Sequence, residues 1–583
     1  MFADPANPGF LCRNEPCDWM ICRLTLPFEV MTDQSYPGDA KSENCKSVAT
    51  PTMEDLQTSP HGVSKTLATL RKVFSFPGLL GTILILEAWS TLALYPHDPD
   101  VWWHVVVGSR ILNTHSWPSA DPYSFTAHGN PWIAYEWLGE VVMALAERAG
   151  GLAGLAALRI GIAAILGLLL YYYAHLRCRN SKAAFAATAL MFWLSYGFFW
   201  MRPQLIGYVF LLLVLIFVER YRQGQQKSLW ILPFVFLLWV NTHGSFVLGF
   251  LVLGVYWVGG LWNWELGHLR MDRWSPGQRR HLSLIILLSE VALLLTPYGT
   301  QLATYPLEML FSQPLVFSNI AEWRPIGFGE IWGKEVLVLF LLLFVGLAVL
   351  RPVYRVEEFI LLFFAISTCC IHRRMFVVFA LIVTPLLASM LARWTPPYKP
   401  NEDHYVLNAC LMGLAVAGMI WFFPSRKKIE CSVNQVYPHS AVQYIRDHPD
   451  LNPMFNEDNW GGYLIWSLGA PHKVFIDGRA DLYEHAGVYS DYISMMEVAP
   501  QTMFLLRKYS IRSCLLMRGA PLGTLLASLP DWHRVHTDKL AVLYVHESVP
   551  STAPKETAGL ARLHSRFRNE RPDPAKHPKC FLR

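Results

Sequence analysis

The feature that most constrains this chain is a succession of apolar stretches, most of them about 16–22 residues long and nearly free of charge. A helix of that length crosses a bilayer core of about 30 Å. Such stretches lie at 77–95, 151–173, 184–200, 204–219, 229–241, 244–262, 282–297, 335–350, 356–371, 375–393 and 404–423. The pattern predicts a mainly α, polytopic membrane protein with about eleven spans. Composition agrees. Charged residues are 16% of the 583, against about 25% in an ordinary soluble domain, and apolar residues are 53%. A disordered or fibrous chain is excluded, and a soluble enzyme of this length is disfavoured.

Four regions follow. Residues 1–75 are polar and aperiodic, without the ordered regions of a signal peptide, and read as a disordered cytosolic extension. Residues 76–425 form the transmembrane part, with long loops at 96–150 and 298–334. Residues 430–548 are far less apolar. Short β-rich runs at 473–476, 512–517 and 541–545 alternate there with helical stretches, the pattern of a soluble α/β domain. Residues 549–583 read as a disordered basic tail. The 11 cysteines include no CxxC pair, so free or buried thiols are expected rather than a disulfide framework or a zinc site. The net charge of +5 comes without a basic stripe, and no nucleic-acid partner is expected.

Lys and Arg set the orientation. With the N-terminus cytosolic, the inner segments carry roughly seventeen and the outer connections about eight. The 430–548 domain is then extracytoplasmic, and the expected location is a cell membrane, that of a bacterial inner membrane, crossed many times. This topology sorts the unusual polar residues onto the outer face. His97, Asp98, Asp100, Trp102, Trp103 and His104 follow the first span, with Glu136 in the same loop. Arg202 ends the third span and His243 the fifth; Glu322 and Arg324 lie in the 298–334 loop; His372, Arg373 and Arg374 end the ninth span. Ionisable groups at membrane depth are costly and commonly mark function. Taken singly, each has a plainer role: Asp100 as a helix cap before Val101, Arg373 and Arg374 as headgroup contacts, His243 as a core histidine, Glu322 as a loop acid, and Trp102, Trp103 and Trp137 as an interfacial belt.

Jointly they suggest chemistry. A carboxylate at Asp98 or Asp100 can deprotonate an acceptor or hold a cation, and Arg202, Arg373 and Arg374 can grip a phosphate through paired N–H donors. No Walker A or GxGxxG motif offers a nucleotide site. The combination suits transfer from a phospho-lipid donor to an acceptor outside the cell.

At this point HDPDVWWHVVVGSRIL (97–112) and DPYSFTAHGNPWIAYEWLGEVV (121–142) resemble the acidic first outer loop of the GT-C superfamily of polyprenyl-phosphate-dependent glycosyltransferases. Within it the chain is most similar to the catalytic subunit of oligosaccharyltransferase. NIAEWRP (319–325) resembles the loop whose Glu lies near the acceptor amide. HRRMFVVFALIVTP (372–385) resembles the arginine-bearing helix near the donor phosphate. WGGYLIW (460–466) with KVFIDGRADLY (473–483) resembles the acceptor-reading motif of the external domain. The family carries Trp-Trp-Asp in that motif, where this chain has Trp460 and the Gly461–Gly462 pair; its second outer loop carries an acidic metal pair, where this chain has Met201, Arg202, Pro203 and Gln204.

The resemblance implies a GT-C-like helical core and glycosyl transfer with inversion. Asp98 or Asp100 would act as base or cation ligand, for Mg²⁺ or Mn²⁺, with no other metal site or cofactor expected. Arg373, Arg374 and Arg202 would hold the phosphate, and Glu322, Arg324, Trp460, Tyr463, Asp477 and Arg479 would form the acceptor side. His104, Glu136, His243 and His372 are second candidates. The expected partners are a polyprenyl-phosphate-linked sugar, membrane lipids, and a glycan, lipid or protein acceptor. Two other readings stay open: an oligosaccharyltransferase acting on protein Asn, and a non-catalytic carrier or transporter of lipid-linked glycans. Transporters usually carry internal repeats, and none is seen.

Overall fold

The computed structural model describes residues 63–93, 98–351 and 353–547. The expectations for the N-terminal extension up to residue 62, for His97 and for the tail from 549 lie outside the described residues.

Every apolar stretch read from the sequence is a helix. They are Phe76–Leu92, the later part of Trp137–Cys178, Ser181–Ser195, Pro203–Arg222, Leu232–Val240, Phe246–Gly259, Pro276–Ala292, Ile331–Leu350, Val356–Ile371, Phe376–Leu391 and Tyr405–Trp421. The described helices do not by themselves confirm the count of about eleven spans. Among the described residues, four helices are long and apolar enough to cross a membrane by themselves: Trp137–Cys178, Pro203–Arg222, Ile331–Leu350 and Arg373–Leu391. The number rises to six if the bent pairs at Thr66–Leu92 and Tyr405–Val433 each count once. Other apolar helices are shorter; Phe246–Gly259 has 14 residues, about 21 Å of helix.

Pro203–Arg222 and Phe376–Leu391 sit inside the bundle, whereas Ile331–Leu350 and Tyr405–Trp421 present bare apolar side chains such as Phe344, Val349, Val406 and Leu414. Those outer faces suit lipid tails, which offer the solvation that water would not. The 42-residue helix Trp137–Cys178 bends at Gly151, whose φ of 57° is a conformation other residues avoid. The bend separates a first stretch lying among the loops from the apolar stretch in the bundle.

The 430–547 region holds a four-stranded sheet in the order Met454–Asn456, Ser513–Met517, Ala541–His546, Trp532–Thr537. The first pair is parallel and the others antiparallel. Two runs predicted as strands are strands. The run at 473–476 is not; Val474 instead bridges to Ser124, with backbone bonds of 3.1 Å from Val474 N–H to the Tyr123 carbonyl and from Phe125 N–H to the Val474 carbonyl. Its backbone partners are thus in the 96–150 loop. Apolar packing follows the same join. Trp103, Val107, Trp132 and Ala134 of that loop share one buried core with Phe455, Phe475, Tyr483 and Tyr492. Among the described cysteines, Cys178, Cys369, Cys370, Cys410 and Cys514 are free thiols, while Cys431 is disulfide-bonded, against the expectation of thiols throughout.

Candidate active site

The site lies at the end of the bundle where Pro203–Arg222 begins. Pro203 occupies the first helical turn, where its missing N–H costs nothing, and Arg202 precedes it in extended backbone. From there Arg202 reaches three carboxylates from two distant loops. Its Nε lies 3.0 Å from both oxygens of Asp98, and Nη2 lies 2.9 Å from Asp98 Oδ1. Nη2 is also 3.1 Å from Asp100 Oδ2 and 3.1 Å from Glu322 Oε1. The same guanidinium stacks on Trp200, 5.1 Å from the ring centre. Arg202 is therefore occupied by acids, and the expectation that it grips a phosphate gives way to a role in holding Asp98, Asp100 and Glu322 together.

The plainer role of helix cap offered for Asp100 is not taken up. Asp100 precedes Val101–Thr114, but its side chain makes no capping bond. Its Oδ1 accepts instead from Trp103 Nε1 at 3.3 Å. Asp98 is the residue that braces the backbone here. Its Oδ1 accepts the Asp100 N–H at 3.1 Å, and its carboxylate is wholly buried. Burial pushes Asp100 up to about 7, with Arg202 pulling against it. Burial alone would raise Glu322 as well, but Arg202, Arg374 and Arg373 outweigh it and hold that carboxyl below the usual range.

The 319–325 and 372–375 segments are docked on each other. His372 Nδ1 lies 2.7 Å from the Trp323 carbonyl, so that nitrogen carries the proton and donates, and Arg373 N–H donates to the Arg324 carbonyl at 3.0 Å. Arg374 lies 4.4 Å above the Trp323 ring, donates to Gln204 Oε1 at 2.6 Å, and stands 3.8 Å from Glu322. Arg373 Nε is buried without a partner among the described residues, a donor whose desolvation nothing offsets. The Arg324 side chain is exposed.

Behind the aspartates lies a second buried group. Glu136 stands between His243 Nε2 at 3.3 Å and His104 Nε2 at 3.6 Å, and His104 Nδ1 meets Glu140 Oε1 at 3.2 Å. His243 Nδ1 accepts the Ser245 N–H at 2.9 Å, so the neutral ring carries its proton on Nε2, toward Glu136. Burial, aided by Arg374 and Arg202, drives His243 down to about 3, and burial holds His104 well below its ordinary value. Burial raises Glu136 to about 8. Three of the second candidates, His104, Glu136 and His243, thus form one proton-bearing array, while His372 lies on the Trp323 carbonyl instead. Glu140 joins them without having been a candidate, although its i+4 spacing from Glu136 is a signal that the sequence carries.

The residues expected on the acceptor side divide. Glu322 lies at the site, whereas Arg324 meets it only through its backbone carbonyl and its side chain is exposed. Asp477 and Arg479 do not face it: Arg479 is wholly buried, paired with Asp477 at 2.6 Å and Asp121 at 2.7 Å, and packed 4.7 Å from the Trp132 ring. Trp460 and Tyr463 are core residues; Tyr463 stacks on Tyr437, which donates its hydroxyl to the Asp98 carbonyl at 2.9 Å. The glycines of those motifs serve close approach. A Cβ on Gly462 would stand 2.9 Å from the Pro99 carbonyl oxygen, and one on Gly478 would stand 1.9 Å from Asp100 Oδ1. Tyr437 and Gly478 have no sequence signal tying them to the acidic loop.

Among the described residues, no group of three or more His, Cys, Asp or Glu is arranged to hold a metal ion. The donor set accounts for this, because Asp98 gives both oxygens to Arg202, and Asp100 and Glu322 meet the same guanidinium.

No protein-family model and no curated protein matches the sequence. Solved structures give a likeness of backbone. The oligosaccharyltransferase of Archaeoglobus fulgidus, tethered to an acceptor peptide containing the NVT sequon, superposes with a TM-score of 0.47 at 12% identity, covering 75% of this chain and 68% of that one. The AglB oligosaccharyltransferase of Archaeoglobus fulgidus with an inhibitory peptide and a dolichol-phosphate gives 0.47 at 13%, over 79% and 70%. ArnT of Cupriavidus metallidurans bound to undecaprenyl phosphate gives 0.45 at 14%, over 82% and 98%. At such scores the chemistry of this chain is carried by its own side chains.

Proposed function

We propose that this protein is an integral membrane glycosyltransferase that moves a sugar from a polyprenyl-phosphate or diphosphate donor to an acceptor on the extracytoplasmic face. The observation that carries the proposal is the convergence, at one end of an apolar bundle, of a near-neutral carboxyl with two arginines that retain unused N–H donors. Asp100, raised to about 7, is matched to removing a proton from an acceptor hydroxyl or amide at physiological pH. The acceptor then attacks the anomeric carbon, and the bond from that carbon to the phosphate oxygen breaks. The electrons go to the phosphate, whose new charge Arg373 and Arg374 stabilise through charge-assisted hydrogen bonds. Attack from the face opposite the phosphate inverts the anomeric centre. Glu322, ionised between Arg202 and Arg374, fixes both arginines and faces the acceptor side. The bare apolar helix faces supply the lipid-level approach for a polyprenyl chain. The orientation rests on the Lys and Arg bias.

The test is transfer of labelled sugar from synthetic polyprenyl-phosphate donors by purified protein, together with donor binding. Transfer by the wild type, and its loss with retained donor binding in Asp100→Asn, are the expected results. Absence of both transfer and donor binding across the common lipid-linked sugars would remove the assignment.

A further inference from the structure

The carboxylates of this site that could bind a divalent ion already share one cation, the Arg202 guanidinium. Three acids drawn from two loops far apart in sequence converge on a single guanidinium: Asp98 and Asp100 at the start of the 98–114 segment, and Glu322 at the far end of the 298–334 loop. Left without a cation, three carboxylates in a largely buried volume would repel one another or bind protons. Arg202 lies in a short connection that itself carries no acidic residue, Met201-Arg202-Pro203-Gln204. Pro203 fixes the backbone immediately after it, and Trp200 covers one face of the guanidinium. Every polar edge of that side chain that meets these acids is spent on them, through Nε, Nη1 and Nη2.

We infer that Arg202 is the resident cation of this site and replaces a divalent metal ion there. It is a positioning residue: it sets the spacing of Asp98, Asp100 and Glu322 and leaves Arg373 and Arg374 to the anion. The inference deepens the glycosyltransferase reading in what it says of catalysis, but its first readout, metal binding, does not depend on that reading.

Mn²⁺ is titrated into purified full-length protein in detergent, and free Mn²⁺ is followed by electron paramagnetic resonance. The wild type is expected to show no saturable site. Arg202→Ala exposes the three carboxylates and is expected to gain Mn²⁺ affinity by about 10-fold or more, since carboxylate count sets affinity at oxygen-ligand sites. Adding Asp98→Asn is expected to abolish that gain. Should Arg202→Ala not fold, Arg202→Lys, which keeps the charge, is expected to stay metal-free. In the transfer assay the wild type is expected to be insensitive to chelators. The acidic limb of the pH profile should move upward in Arg202→Ala, because the positive charge that favours ionised Asp100 is gone. Saturable 1:1 Mn²⁺ binding by the wild type that Asp98→Asn weakens overturns the inference. If no metal binds and yet no sugar is transferred from any lipid phosphate, Arg202 remains the cation and the glycosyltransferase reading alone falls.

Discussion

The two ends of the helical bundle draw on the same residue types and use them differently. Helix Pro203–Arg222 runs between them, about 30 Å for its 20 residues. At the end away from Arg202, Glu219 takes Arg177 at 3.3 Å and Arg355 at 3.2 Å, Glu358 pairs with the same Arg177, and Glu357 takes Arg222 at 2.7 Å. Three glutamates meet three arginines. At the other end Asp98, Asp100, Glu136, Glu140 and Glu322 face Arg202, Arg373 and Arg374, while His104 and His243 are held neutral. One oxygen of Glu140 and the Nε of Arg373 lack a hydrogen-bond partner among the described residues, as do the Glu357 oxygens at the far end, so the two ends differ in the count of acids against arginines and not in unmatched atoms. A network whose acids and arginines are equal in number consumes its charge and acts as a staple. One that carries surplus acid keeps protons in reserve, and such imbalance is the mark of a working site.

The contrast can be broken in four ways. The largest effect is expected for Asp100→Asn, which should lower turnover by about 10²–10⁴ while the thermal midpoint hardly moves. A parallel loss of stability would make this end a staple too. Glu219→Ala at the far end should do the reverse. It leaves Arg177 and Arg355 short of a buried partner and should cost about 3–5 kcal/mol in denaturant titration, with turnover per folded molecule unchanged. Arg374→Lys keeps the charge but not the planar fork, and donor affinity by equilibrium binding should fall about 10-fold.

The smallest effect is on pH dependence. Burial raises the Glu136 carboxyl to about 8 in the folded protein, far above its ordinary 4.5, so the folded state holds its proton where the unfolded state releases it. This contribution to stability is full below the unfolded value and is lost as pH rises through about 8. The thermal midpoint should therefore decline between pH 5 and 8, and Glu136→Gln, which cannot ionise, should flatten that decline. An unchanged slope would show that Glu136 is ionised in the native protein.

The helices were legible because apolar periodicity is local. So was the grouping of Asp98, Asp100, Glu322, Arg373 and Arg374, because alternation across a membrane assigns distant segments to one face without any knowledge of packing. Pairing was not legible. Nothing local distinguishes Arg202 from a phosphate ligand; only the arrival of Asp98, 104 residues away, makes it a carboxylate holder. Asp477 and Arg479 carry the residue types of a site, yet Asp121, 358 residues from Arg479, completes a dry ion pair around them. The Gly461–Gly462 pair stands where the resembling family has a reading residue, and its purpose is contact distance, which sequence does not express. The strands Met454–Asn456 and Trp532–Thr537 leave little trace in the sequence because the first is three residues long and the second alternates weakly between its faces.

The bond from Tyr437 to Asp98 spans 339 residues. Ribosomes add about 5–20 residues per second, so the acidic loop emerges about 20–70 s before the segment that braces it. Through that interval Trp103 and Trp132 lack the Phe455, Phe475 and Tyr483 partners of their finished core. The acidic loop thus waits long for its partners, and assembly of the candidate site is a late event in the biogenesis of the chain, dependent on whatever shields those tryptophans until the C-terminal domain arrives.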